Sequence, residues 1–90
     1  MKNITLATAK KLAKEYNIDT SVVPISEFHY GLNAELEHTN ITHGNISMTM
    51  KIVLVHLKED PKYYHFLQKQ ELRRTAYWMN RVKPSIFKST

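Results

Sequence analysis

Ninety residues make one domain, and with only two glycines and three prolines the chain is short of the turns that a β-sandwich or barrel needs. It contains no cysteine, which excludes disulfides, thiolate metal sites and cysteine nucleophiles. Its formal charge of +5 is uneven. Residues 1–60 hold six Lys against seven Asp and Glu, whereas residues 61–90 hold seven Lys and Arg against Glu71 alone. Asymmetry of this kind points to an acidic partner.

After Met1 the chain offers no apolar run of signal-peptide length, because Lys10, Lys11 and Lys14 interrupt it. The longest apolar stretch, Ile52 to Val55, is far too short to span a bilayer. The expected location is therefore intracellular (host cytoplasm, or virion if the protein is viral), with no membrane partner. Three N-x-[ST] triplets begin at Asn3, Asn40 and Asn45 and read as chance in an Asn- and Thr-rich chain.

Helical spacing of Leu6, Ala9, Ala13 and Tyr16, widened by Leu12, predicts an amphipathic helix over residues 5–16. Thr5 is its expected N-cap, and Asn17 is expected to end it in a left-handed conformation. Ser26 is the expected N-cap of a second helix running to about His38, with Ile25, Phe28, Leu32 and Leu36 as its buried stripe. Gly31 inside that helix suggests close packing against a neighbour or a bend. Residues 39–45 read as a polar loop.

Ser47 to Glu59 is ambiguous. Met48 to Ile52 alternates like a strand, yet the segment is a dozen residues long and its apolar positions surround a helix. A central helix is the expectation. Asp60 followed by Pro61 reads as an N-cap and first helical position of a further helix, with Tyr63, Tyr64, Phe66 and Leu67 as an aromatic face. The apolar phase then slips across Gln68 to Glu71 and resumes with Leu72, Ala76 and Met79, which means a bend or a separate helical extension. Pro84 should end it, leaving Ser85 to Thr90 as a loose tail.

Two segments, Gly31-Leu32-Asn33-Ala34-Glu35-Leu36-Glu37-His38 and His56-Leu57-Lys58-Glu59-Asp60-Pro61-Lys62-Tyr63-Tyr64, resemble the "G-x-N/D-x-E-L-E-H" and "H-L-x-E-x-P-x-Y-Y" motifs of a short, uncharacterised domain family of bacteria, phages and other large DNA viruses. Leu67 matches the leucine that follows the second motif, and the resemblance covers roughly residues 5–72. It implies a compact helical domain and supports helix over strand for Ser47–Glu59, but it supplies no activity. The chain departs from the family pattern in its short loop, where Thr39 stands in place of the family's glycine. Residues 73–90 lie outside the resemblance.

Two constellations could carry chemistry. Glu35 and His38 share a helix face, as do His56 and Glu59. With Glu37 they form a possible metal or acid–base set, since helical bundles bind metals through Glu-x-x-His pairs on facing helices. The match is incomplete, because the second pair runs in reverse and two further glutamates are lacking. The competing reading is structural, with His56 bonded to Glu35 or Glu37 at the core edge and Glu59 helping to cap the next helix. The second constellation is the basic, aromatic C-terminus: Arg73, Arg74, Tyr77, Trp78, Arg81, Lys83 and Lys88. These residue types suit a protein interface, where Trp, Tyr and Arg are favoured anchors, and also phosphate and base contacts. Lys10, Lys11 and Lys14 would make a poor membrane-surface helix, lacking large apolar residues opposite. There is no glycine-rich phosphate loop and no nucleophile elbow.

The expectation is an all-α bundle of about four helices, residues 1–72, bearing a basic extension, residues 73–90, that is separable from folding. Its expected role is that of a non-enzymatic interaction module, its cofactor (if any) unknown from sequence, a viral or phage accessory or structural protein that docks a protein partner or assembly through the extension. Metal or His/Glu acid–base chemistry at Glu35, Glu37, His38, His56 and Glu59 is the first alternative. Nucleic-acid binding is the second.

Overall fold

Thr5 starts the first helix as the sequence predicts: in extended backbone, its side-chain oxygen accepts from the Thr8 N–H at 3.1 Å. The computed structural model describes residues 3–37, 45–70 and 77–89. Helix α1 spans Leu6–Glu15 and stops at Asn17, whose φ of 59° is left-handed. The N–H of Ile18 then donates to Ala13 O and that of Asn17 to Lys14 O, the paired bonds of a Schellman ending. Ala9, Leu12 and Ala13 form the buried face, while Leu6 and Tyr16 stay exposed, so the stripe is narrower than the spacing suggested. The place expected for Leu6 goes to Ile4 before the helix, which is buried.

Helix α2 spans Ile25–Leu36 and buries Phe28, Leu32 and Leu36. Ser26 is not its N-cap. The flanking residue is Pro24, whose carbonyl accepts from the Glu27 and Phe28 N–H groups, and Ser26 lies exposed in the first turn. The shift has a local cause. A turn in which Val22 and Val23 both donate to Asp19 O anchors the buried Val23, and Pro24, fixed in φ, starts the helix two residues early. His38, expected near the end of this helix, lies outside the described residues.

Residues 46–59 are helical, which resolves the ambiguous segment. Helix α3 spans Ile46–Glu59; the Asn45 side chain caps it by accepting from Met48 N at 3.1 Å. Met50, Val53 and Leu57 are fully buried at helical spacing, beside Thr49. The apolar positions that blurred the pattern, Ile46, Met48 and Val55, point outward. Helix α4 spans Tyr63–Gln68, two residues later than Pro61 suggested. Asp60 still caps this junction: its Oδ1 accepts from Lys62 N at 2.9 Å and its carbonyl from Tyr63 N. The helix closes at Gln70, again left-handed, so the aromatic helix stops where the apolar phase slips.

Helix α2 packs against α1, α3 and α4, and α3 also meets α4, which makes α2 the hub of the core. The fold is all-α, and among the described residues the sole extended pairing is a bridge between Ile18 and Phe87. That bridge corrects the expectation of a loose tail. Asp19 N donates to Ile86 O at 2.7 Å, Lys88 N to Asn17 O, and the Asn17 side-chain amide to Lys88 O. Ile86 is buried in the same core as α1 and α2, with Phe87 packed beside it. Helical structure stops at Trp78, six residues before the Pro84 that was expected to end it, and the apolar pair after Pro84 gives the tail something to bury. The left-handed turn at Asn17 leaves the connector's backbone groups open to receive it. No helix among the described residues is long and apolar enough to cross a membrane.

Candidate functional site

The glycine inside α2 faces the aromatic ring of α4. A Cβ built on Gly31 would stand 2.7 Å from the Tyr64 ring, closer than real atoms approach, so the ring lies directly on the helix backbone. This seats the Tyr64 hydroxyl one helical turn further along α2, where it donates to Glu35 Oε2 at 2.8 Å. His56 reaches the same oxygen from α3, with its Nε2 at 3.5 Å. Its ring stacks on Tyr63 at 4.2 Å between centroids and meets Tyr64 edge-on. Burial, and then the negative charge of Glu35, push the Tyr64 phenol well above its usual range. Tyr64 therefore keeps its proton and donates a hydrogen bond to Glu35.

Of the five residues set out as a possible metal or acid–base group, the structure brings two together, Glu35 and His56. Glu37 and Glu59 are exposed at the ends of their helices, and His38 is outside the described residues. Among the described residues no three His, Asp or Glu side chains converge as a metal set. The carboxylate that caps the α3–α4 junction is that of Asp60 rather than Glu59.

Asn33, two residues from Glu35 and so on a different face of α2, holds the segment before α1. Its amide oxygen accepts from Ile4 N at 2.7 Å and its amide nitrogen donates to Ile4 O at 3.0 Å. His29 Nε2 lies 2.6 Å from the same carbonyl, and since a carbonyl only accepts, Nε2 carries the proton. A second histidine–carboxylate contact, His65 Nδ1 to Glu27 Oε2 at 2.6 Å, ties α4 to the start of α2.

The C-terminal residues build a different surface. Trp78 turns inward: its indole N–H donates to Asp60 Oδ1 at 2.6 Å, the oxygen that also caps Lys62. Tyr77 packs edge-on against Phe66 and Trp78. The Arg81 guanidinium carbon lies 4.2 Å from the Tyr77 ring centroid and Lys62 Nζ lies 5.3 Å from it. Arg81 also donates to the Tyr77 carbonyl, and Lys83 Nζ donates to Glu59 O at the α3 C-terminus. Tyr77, Trp78, Arg81 and Lys83 therefore share the α3–α4 junction. Lys88 belongs elsewhere, paired through its backbone with Asn17. Arg73 and Arg74 are outside the described residues. Lys62, which no candidate set named, joins this surface, as does Phe66, which the sequence placed on the aromatic face of the helix after Pro61. The sequence cue for Lys62 was its place two residues after a capping Asp.

Residues 9–73 match the family described as Protein of unknown function (DUF5661). The chain belongs to that family. The DUF5661 match takes in nearly all of α1, the whole of α2 to α4, and the Gly31, Glu35, His56 and Tyr64 cluster. It leaves outside both Ile4 and the Tyr77, Trp78, Arg81 and Lys83 surface. No curated protein and no solved structure matches the chain.

Proposed function

We propose that this DUF5661 protein is a non-enzymatic docking module that binds an acidic protein partner or assembly through the surface around Tyr77. The observation that carries the reading is the Tyr77 ring with two cations over it, Arg81 and Lys62, on a base pinned by the Trp78–Asp60 hydrogen bond. Cation–aromatic contact holds both positive side chains beside a flat ring. A partner carboxylate would meet an ordered guanidinium and lose less side-chain freedom on binding. In this reading Trp78 is a positioning residue, while Tyr77, Arg81, Lys62 and Lys83 make the contact. Arg73 and Arg74 would add charge to the same partner. The family resemblance favours service as an accessory or structural protein of a phage or virus, inside the host cell or virion. The Glu35, His56 and Tyr64 cluster acts as internal structure, because the phenol and the imidazole both turn onto one buried carboxylate oxygen.

The test uses the full chain and two probes, a Glu-rich peptide containing one aromatic residue and a duplex oligonucleotide. Peptide binding should weaken about tenfold in Arg81→Glu, the loss of one charge-assisted contact. The duplex should bind more weakly than the peptide at physiological salt. Equal peptide affinity in the wild type and Arg81→Glu would overturn the proposal. A duplex preferred over the peptide, with affinity falling steeply in salt, would instead assign the surface to nucleic acid.

A further inference from the structure

On α1, away from the Tyr77 surface, an open pocket of about 510 Å³ lies between the helix, the connector to α2 and the returning C-terminus. Its floor is apolar, made by Ala13, Ile18, Pro24 and Ile25. Its rim carries Lys10, Lys14 and Lys88, with the Thr20 hydroxyl. Lys10 and Lys14 sit one turn apart on α1 and so are surface neighbours. Lys88 arrives from the other end of the chain, carried there by the Asn17 pairing across 71 residues. The volume is that of an ordinary small-molecule site.

The three ammonium groups repel one another, and among the described residues no carboxylate forms an ion pair with any of them. The nearest acid in sequence to the pocket floor, Asp19, is already engaged. Its carboxylate accepts from the Ser21 hydroxyl at 2.6 Å and the Ser21 N–H at 3.0 Å. Those two bonds hold it below the usual carboxylate range, with a minor contribution from Lys88. Among the described residues the rim is thus a concentration of positive charge that no ion pair balances.

A ligand that relieves it needs several acceptor oxygens and more than one negative charge. A phosphate monoester dianion carries about −1.5 to −2 at neutral pH with three strong acceptors, against one charge for a carboxylate. Lysine ammoniums are compact point charges that suit phosphate. The apolar floor asks for an apolar body on the same molecule. We propose that this pocket binds a small organic phosphate monoester, its phosphate among Lys10, Lys14 and Lys88 and its apolar body on Ala13, Ile18, Pro24 and Ile25. The site goes beyond the docking surface and stands without it.

The probe is 1-naphthyl phosphate, titrated into the full chain by calorimetry and amide NMR, with inorganic phosphate, 1-naphthol and phosphatidate-containing phosphatidylcholine vesicles as comparison arms. It should bind about tenfold more tightly than inorganic phosphate or 1-naphthol and move amides of α1, the connector and residues 86–88. Lys10→Gln and Lys14→Gln should each weaken it by about tenfold, with melting temperature unchanged because both side chains are exposed. Lys62→Gln, on the docking surface, should leave it alone, which separates failure here from failure there. Binding no tighter than inorganic phosphate overturns the proposal, as does indifference to Lys14→Gln. Shifts centred on Tyr77, or binding confined to the vesicles, overturn it too.

Discussion

Glu35 and Asp60 are both buried carboxylates, and each accepts a short hydrogen bond from the polar tip of an aromatic side chain, Tyr64 in one case and Trp78 in the other. Around Glu35 the neighbours are a glycine, a phenol and a stacked histidine, all on helices within the family match, and the arrangement closes on itself. Around Asp60 the chain opens. Trp78 comes from beyond the matched residues, and next to it Tyr77 carries Lys62 and Arg81 to the solvent. The same bond therefore completes a core in one place and anchors a surface in the other. What separates them is the company: apolar and ring contacts around Glu35, cations around Asp60. A carboxylate–aromatic pair does not by itself mark a functional site.

The comparison can be broken most decisively at Tyr64. Tyr64→Ala should cost about 3–5 kcal/mol in denaturant unfolding, since it empties the contact with Gly31 and removes a buried hydrogen bond to Glu35. A loss below 1 kcal/mol would mean that the cluster is not part of the core. At the other carboxylate, Trp78→Phe keeps the ring but removes the donor to Asp60, and about 1.5–3 kcal/mol should be lost. Arg81→Ala, on the exposed side of that surface, should stay within about 0.5 kcal/mol of wild type. If the two variants changed stability equally, the distinction between anchor and displayed charge would fail.

Ending the chain after Pro84 removes the buried Ile86 and should cost about 1.5–3 kcal/mol. Circular dichroism melts of the truncated and full chains would measure it, and an unchanged melt would return the tail to the loose state that its composition suggested. The smallest effects are in pH. The folded Tyr64 phenol titrates above its unfolded value of 10.0, so its contribution is complete below that pH and declines as pH rises above it. Tyr64→Phe should therefore show a shallower alkaline loss of stability than wild type. Asp19 has the opposite sign: its folded value lies below 3.8, so its contribution is present above that pH and lost as pH falls further. An NMR titration placing its midpoint at or above 3.8 would contradict the Ser21 hydrogen bonds.

Local chemistry was readable residue by residue. Thr5 as a cap, Asn17 as a left-handed stop and the helix over 46–59 depend on neighbours within one or two turns, and so does the Asp60 cap despite its displaced helix. Gly31 was recognisable as a close approach, and the pairing of Glu35 with His56 as a contact between helix faces. The Ser26 cap failed because Pro24, already fixed in φ and attached to a buried Val23, takes the N-cap position instead. Only the tertiary structure decided which partner each polar group took. Asp60 gains Trp78 from eighteen residues away, and Lys10 and Lys14 gain Lys88 from the far end of the chain. Such meetings are set by burial of Ile86 and by the backbone groups left open at Asn17 to Asp19. That free energy belongs to the assembled core and leaves no period, cap or spacing in the residues themselves.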